Sequence, residues 1–164
     1  GEIAFQDYFV RHRWQPTLCG LRFEGATRAT ISPQVRDAIL QAEIIVIGPS
    51  NPWLSIAPIL ALPGMRDLLS GRAVPRVAVT PIVAGDAIKG PTAKLMRELG
   101  HRVSAERVAE YYGDVINGFV YDERDASLVF AGLRTVALDT VMRTEAQRID
   151  LAQQVLEWIG GWKS

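Results

Sequence analysis

Four short apolar runs, with helix-like stretches between them, constrain this fold more than any other feature of the sequence. Ile44-Ile45-Val46-Ile47 and Arg76-Val77-Ala78-Val79-Thr80 are branched runs without polar alternation. Such runs predict strands buried on both faces, the habit of parallel sheets. Gly118-Phe119-Val120-Tyr121 and Thr135-Val136-Ala137-Leu138 are two further strand candidates, followed by Asp122 and Asp139. Helix signals fill the intervals. Ser32 can cap a helix with Pro33 in its first position, and Val35, Ala38, Ile39 and Ala42 recur at one-face spacing. Ser55 can cap a short helix over 56–62, with Pro58 tolerated in its first turn. Pro91 can open a helix bearing Leu95, Met96 and Leu99, stopped at Gly100. Ser104 can cap the next, with Val103 and Val108 at hydrophobic-staple spacing. A last helix is expected over 145–159. It carries two apolar stripes, one of Ile149, Ala152, Leu156 and Ile159, the other of Leu151, Val155 and Trp158. Gly1 to Arg13 reads as a short helix or approach segment, and Leu18 to Phe23 as another strand.

Alternating strands and helices predict an α/β layer structure with right-handed parallel crossovers. The expected fold is an open, mostly parallel sheet with helices on both faces, Rossmann-like, over one segment spanning residues 1–164. A chain of 164 residues buries enough surface, roughly 70% of what its unfolded form exposes, to need no disulfide or metal staple. Lys and Arg number 18, as do Asp and Glu, so the formal net charge is zero. That balance argues against a nucleic-acid partner, which calls for a basic excess. The single cysteine, Cys19, can form no internal disulfide, which suits a reducing compartment. No apolar run approaches the ~20 residues needed to span a bilayer. The first residues carry Glu2, Asp7, Arg11, His12 and Arg13, which leaves no signal-peptide core. The expectation is a cytoplasmic protein without a membrane partner.

In open parallel sheets ligands bind beyond the carboxyl ends of the strands. Four exits therefore matter: 48–55, 81–90, 122–125 and 139–140. In the first, Gly48 permits a tight departure, Ser50 and Asn51 offer short polar groups, and Ser55 stands at a helix start that favours an anion. The same residues also suit a turn that merely caps its own helix. In the second, Gly85 and Gly90 allow close backbone approach, and Lys89 adds a positive charge. This resembles a diphosphate site but lacks P-loop spacing, and a lone surface lysine is the plainer reading. Asp139 with Thr140 suits a ribose hydroxyl, a metal-bound water or a substrate hydroxyl, or else a cap for the following segment. Asp122, Glu123 and Asp125 read as a solvated acidic loop. Trp53 suits either a ligand ring or the edge of the core. His12 and His101 lack metal-ligand spacing, and no nucleophile elbow or catalytic cysteine signature is present. No residue is identified as a general base.

Several segments together resemble the 2-phospho-L-lactate transferases of coenzyme F420 biosynthesis. They are IIVIGPSNPWLSIAPILALPGMRDLL, VAVTPIVAGDAIKGPTAKLMRELG, VAEYYGDVINGFVYDERDA, LDTVM and the opening GEIAFQDYFVR. The two longest motifs recur in order at sensible spacing, and the resemblance spans nearly the whole chain. It implies transfer of a phospholactyl or enolpyruvyl-phosphate group from a guanosine diphospho donor to a hydroxyl of the deazaflavin Fo. GMP leaves, and a divalent metal, usually Mg²⁺, assists. It assigns Gly48, Ser50, Asn51 and Ser55, and Gly85, Lys89 and Gly90, to loops that hold the donor's phosphates. The family's chain is about twice this length, and its Gly-rich opening is not found here. The chain is thus expected to be a carboxy-terminal segment, truncated at its amino-terminal half. The metal ligands and much of the acceptor site are expected in the missing half, and the segment alone should be weakly active or inactive. An alternative is a non-enzymatic nucleotide-sugar-binding regulator of the related gluconeogenesis-factor group, although Asn51-Pro52 departs from that group's loop. A third reading is a plain α/β scaffold that self-associates, as a homodimer, through the wide apolar face at 149–159.

Overall fold

The computed structural model describes residues 1–88 and 90–163. The strands are β1 (Ile45–Ile47), β2 (Arg76–Val79), β3 (Ile82–Val83), β4 (Asp86–Ala87), β5 (Gly118–Asp122) and β6 (Arg134–Leu138). β1, β2, β5 and β6 form one sheet in that order, and every neighbouring pair is parallel. The helices are α1 (Pro33–Gln41), α2 (Ala57–Leu60), α3 (Met65–Ser70), α4 (Thr92–Glu98), α5 (Ala105–Tyr112) and α6 (Glu145–Gly160).

The sheet is covered on both faces, as the apolar runs predict. Successive strand side chains point to opposite faces, so β2 and β5 each feed two cores. Ala78, Phe119 and Tyr121 pack with Met65 and Leu69 of α3, Leu95 and Met96 of α4, and Val108 and Tyr112 of α5. Val77, Val79 and Val120 pack with Leu151, Val155 and Ile159 of α6. Every residue of β2 and β5 is buried, which is why those strands read as unbroken apolar runs. β1 departs from that expectation: Val46 is 48% exposed. β1 is an edge strand, and the α6 core takes in Val77 beside it without reaching Val46.

The caps at Ser32 and Ser104 form as expected, each side chain accepting an amide hydrogen bond, from Val35 and Arg107 respectively. α6 begins in a capping box between Thr144 and Gln147. Its apolar face is narrower than the sequence predicts: Leu151, Val155 and Ile159 are buried, while Ile149 and Leu156 stay exposed. The helix before α2 also starts earlier than expected. A wide helical turn over Pro52–Ile56 precedes it, capped by Asn51 and not by Ser55.

The expected strand at 18–23 does not form. The Leu18 amide donates to Glu98 Oε2 at 3.0 Å instead of joining a ladder. Glu98 and Lys94 of α4 clasp this amino-terminal segment, Lys94 Nζ donating to the Pro16 carbonyl at 3.0 Å and to Glu98 at 2.7 Å. The opening segment forms the expected helical turn at Asp7–Arg11 and buries Tyr8. Among the described residues no helix is long and apolar enough to cross a membrane.

Candidate functional site

Because the four sheet strands are parallel, their carboxyl ends lie along one rim. Residues 48–51, 80–81, 122–125 and 139–143 leave from that rim side by side. This brings the sequence-selected loops to one edge of the molecule, although each loop is built differently.

The β1 exit is open to solvent at Gly48, Pro49 and Ser50. Asn51 Oδ1 accepts from the Trp53 and Leu54 amides at 3.0 and 3.1 Å, and the Ser55 amide donates to the Asn51 carbonyl. The amides of that helix start are therefore occupied by Asn51, which corrects their reading as free anion donors. Ser55 is exposed one turn into the helical segment and does not cap it. Asn51 Nδ2 is buried and has no partner. Trp53 is buried against the His101 and Tyr111 rings, with centroids 5.5 and 5.2 Å away. Of its two readings, the core edge holds.

After β2 the chain makes a hairpin that the sequence analysis left as loop. β3 and β4 pair antiparallel across Ala84 and Gly85, both with positive φ, 49° and 73°. Two left-handed residues in succession are what a tight two-residue hairpin demands. Gly85 thus serves the turn. Gly90 also has a positive φ, 71°. Lys89 lies outside the described residues. The Ala84 amide donates to Asp125 Oδ2 at 2.9 Å, which ties the hairpin to the β5 exit.

That exit is the most heavily cross-linked part of the rim by side-chain hydrogen bonds. Asp122, read from sequence as part of a solvated acidic loop, is 0% exposed. Its Oδ1 accepts from the Arg124 amide at 3.0 Å and from Arg124 Nη1 at 2.8 Å. Its Oδ2 accepts from the Thr140 amide at 2.9 Å and the Thr140 hydroxyl at 2.8 Å. Burial by itself pushes this carboxyl up; the donors of Arg124 and Thr140 outweigh burial and hold it below its ordinary value. Asp139 Oδ1 accepts from Arg124 Nη1 at 3.1 Å and from the Val141 amide at 3.2 Å. Asp139 therefore caps the segment after β6, one of the two roles open to it, and its side chain is still 47% exposed. Thr140 is buried, with its hydroxyl turned to Asp122. Arg124, Asp139, Val141, Arg143 and Gln147 line a cavity of about 200 Å³ at this corner. Arg124 and Arg143 are not singled out by the sequence, and Asp122 lies in a selected exit but reads there as solvated. The available signal was a matched pair of acids, one closing β5 and one just past β6, its neighbour in the sheet.

Among the described residues the Asp122 carboxylate is not free for a metal ion. Both Asp122 oxygens are filled by donors. Among the described residues no group of three or more His, Cys, Asp and Glu side chains is placed to hold one.

The family model described as 2-phospho-L-lactate transferase CofD matches residues 1–156. A 2-phospho-L-lactate transferase of Methanosarcina mazei is 42% identical over 161 residues, covering 96% of this chain and 52% of that protein. That of Methanosarcina barkeri is 42% identical over 158 residues, covering 94% and 50%. A phosphoenolpyruvate transferase of Thermobifida fusca is 37% identical over 163 residues, again covering 94% and 50%. The chain spans about half the length of these curated relatives.

Proposed function

The chain belongs to the 2-phospho-L-lactate transferase CofD family, and from that membership we propose that it is the donor-holding part of a transferase in coenzyme F420 biosynthesis. The reaction moves a phospholactyl or enolpyruvyl-phosphate group from a guanosine diphospho donor to a hydroxyl of the deazaflavin Fo. The acceptor oxygen forms a bond to the phosphorus that carries the organic acid. The P–O bond to the GMP phosphate breaks, and GMP leaves with that oxygen. Both donor types are kept because relatives bear both names. Transfer of this kind depends on positioning and charge neutralisation more than on covalent help from the protein. Magnesium belongs to the same proposal, with its ligands in the half of the longer relatives that this chain does not cover.

The observation that carries the reading is the single rim. The motif loops after β1 and β2 leave neighbouring parallel strands at the same end, where open α/β sheets hold nucleotides. Ser50 offers an exposed hydroxyl there, and Lys89 with Gly90 belongs to the second loop. Calorimetric titration with GDP tests it. Ser50→Ala combined with Asn51→Asp keeps an acceptor for the Trp53 and Leu54 amides and adds a negative charge where the donor phosphates are placed. At least a tenfold loss of GDP affinity is expected, since two charge-sensitive contacts are disturbed. Unchanged affinity would remove the β1 exit from the donor site.

A further inference from the structure

The β5 exit contains an arginine on a fixed mount. Arg124 is tied by its own amide and by Nη1 to Asp122. Asp122 is itself immobilised through Thr140 of the neighbouring strand exit. A second carboxylate, Asp139, holds the same Nη1. A guanidinium has five N–H donors, and Nη1 accounts for the bonds Arg124 makes through its side chain. Among the described residues Nε and Nη2 have no partner, and the side chain is 46% exposed. Arg124 lines the cavity shared with Arg143, an exposed arginine without an ion pair among the described residues.

The charge count at this corner is specific. Asp122 is buried behind Arg124 and already saturated. The cavity wall carries two guanidinium groups and one carboxylate, Asp139, while Asp122, 2.8 Å from Arg124 Nη1, balances the second cation from behind. Holding an arginine in place beforehand lowers the entropy cost of using it on a ligand. β5 lies two strand spacings from β1, about 10 Å, so one extended nucleotide can touch both exits.

We propose that Arg124, together with Arg143, contacts an oxyanion of the rim ligand, a phosphate group of the donor nucleotide, and that Asp122 is the residue that positions Arg124. This rests on the donor-site reading above and assigns it an anion-contacting side chain on a second strand exit.

The test compares GDP, guanosine and inorganic pyrophosphate by calorimetry, using the unaltered chain, Arg124→Ala, Arg124→Lys and Asp122→Asn. Arg124→Ala should weaken GDP about tenfold to a hundredfold, the range for hydrogen bonds to charged groups, and leave guanosine unchanged. Arg124→Lys should recover part of the loss, because the charge returns without the planar fork. Asp122→Asn should weaken GDP by less, and by nothing further once Arg124 is alanine. Equal weakening of guanosine would show general damage to the rim and overturn the proposal. So would unchanged GDP affinity in Arg124→Ala. If the unaltered chain binds no GDP, the donor-site reading fails. The role of Arg124 is then decided by pyrophosphate: binding that Arg124→Ala abolishes sustains it, and any other result overturns it.

Discussion

After β1, an edge strand, Ser50 and Asn51 lie in a loop that is exposed at residues 48–50. At the end of β5, Asp122 is sealed between two strand exits and satisfied by four donors. Both corners belong to one rim, yet the first is built from local bonds within six residues and the second from contacts between residues 18 apart. A loop that satisfies itself can be altered with little effect on its neighbours. A hub that joins β5, β6 and the segment leading to α6 cannot. The open corner is thus suited to variation in what is bound, and the closed corner to holding a geometry constant.

The sharpest way to break this contrast is Asp122→Ala. It removes the acceptor for the Arg124 and Thr140 amides and for the Thr140 hydroxyl, all at a buried point. Leaving the buried Thr140 amide and hydroxyl without an acceptor costs about 1–3 kcal/mol each, while Arg124, 46% exposed, can turn to water. Urea unfolding should show this as a lower midpoint with little change in slope. A loss near the size of a surface substitution would mean that the two corners differ only in appearance.

Acid separates the corners further. The carboxyl of Asp122 titrates below its ordinary value of 3.8 in the folded chain. A carboxylate with a depressed folded value contributes stability that is complete above its unfolded pKa and is lost as the pH falls through its folded pKa. The stability difference between the unaltered chain and Asp122→Asn should therefore be constant above about pH 5 and shrink below pH 4. A difference that grows on acidification would contradict the hydrogen-bonding account of this carboxylate.

Much of the fold was legible because period and caps are local properties. The runs at Ile44–Ile47 and Arg76–Thr80, the caps at Ser32 and Ser104, and the helix after Thr144 all formed within a residue or two of expectation. The misses share a cause. Val46 is apolar by sequence but exposed, because burial depends on which strand lies at the edge. Leu18 to Phe23 has strand composition but no partner strand, and Glu98, 80 residues away, takes the Leu18 amide. The site divides the same way. Small polar residues at Gly48–Ser55 announced the β1 exit, and Asn51 as a self-cap was among the readings available. Asp122 looked like one acid among several, since nothing near it in sequence shows that Thr140 will close over it.

Asn51→Ala should cost about 1 kcal/mol, the usual effect of losing an N-cap, through the freed amides of Trp53 and Leu54. Asn51→Asp should recover part of that stability, because the Oδ1 acceptor remains while a second carboxylate oxygen takes the buried place of the partnerless Nδ2. Thermal melts of the two variants check both statements. A cost for Asn51→Ala approaching that of Asp122→Ala would show that the β1 exit is also tied into the body of the protein.

Ser50→Ala gives the smallest stability effect and the cleanest reading of the open corner. Its side chain is exposed, and only the Ser50 amide is engaged locally, donating to the Gly48 carbonyl at 2.7 Å. Its removal should change stability by no more than about 0.5 kcal/mol, as for surface positions without a structural task. Any fall in GDP affinity by this variant then reports contact with ligand, uncontaminated by unfolding. No such separation exists at Asp122, where a substitution disturbs packing and site together. The open corner can therefore be tested for function by single substitutions, whereas the closed corner needs the Asp122 and Arg124 variants read in combination.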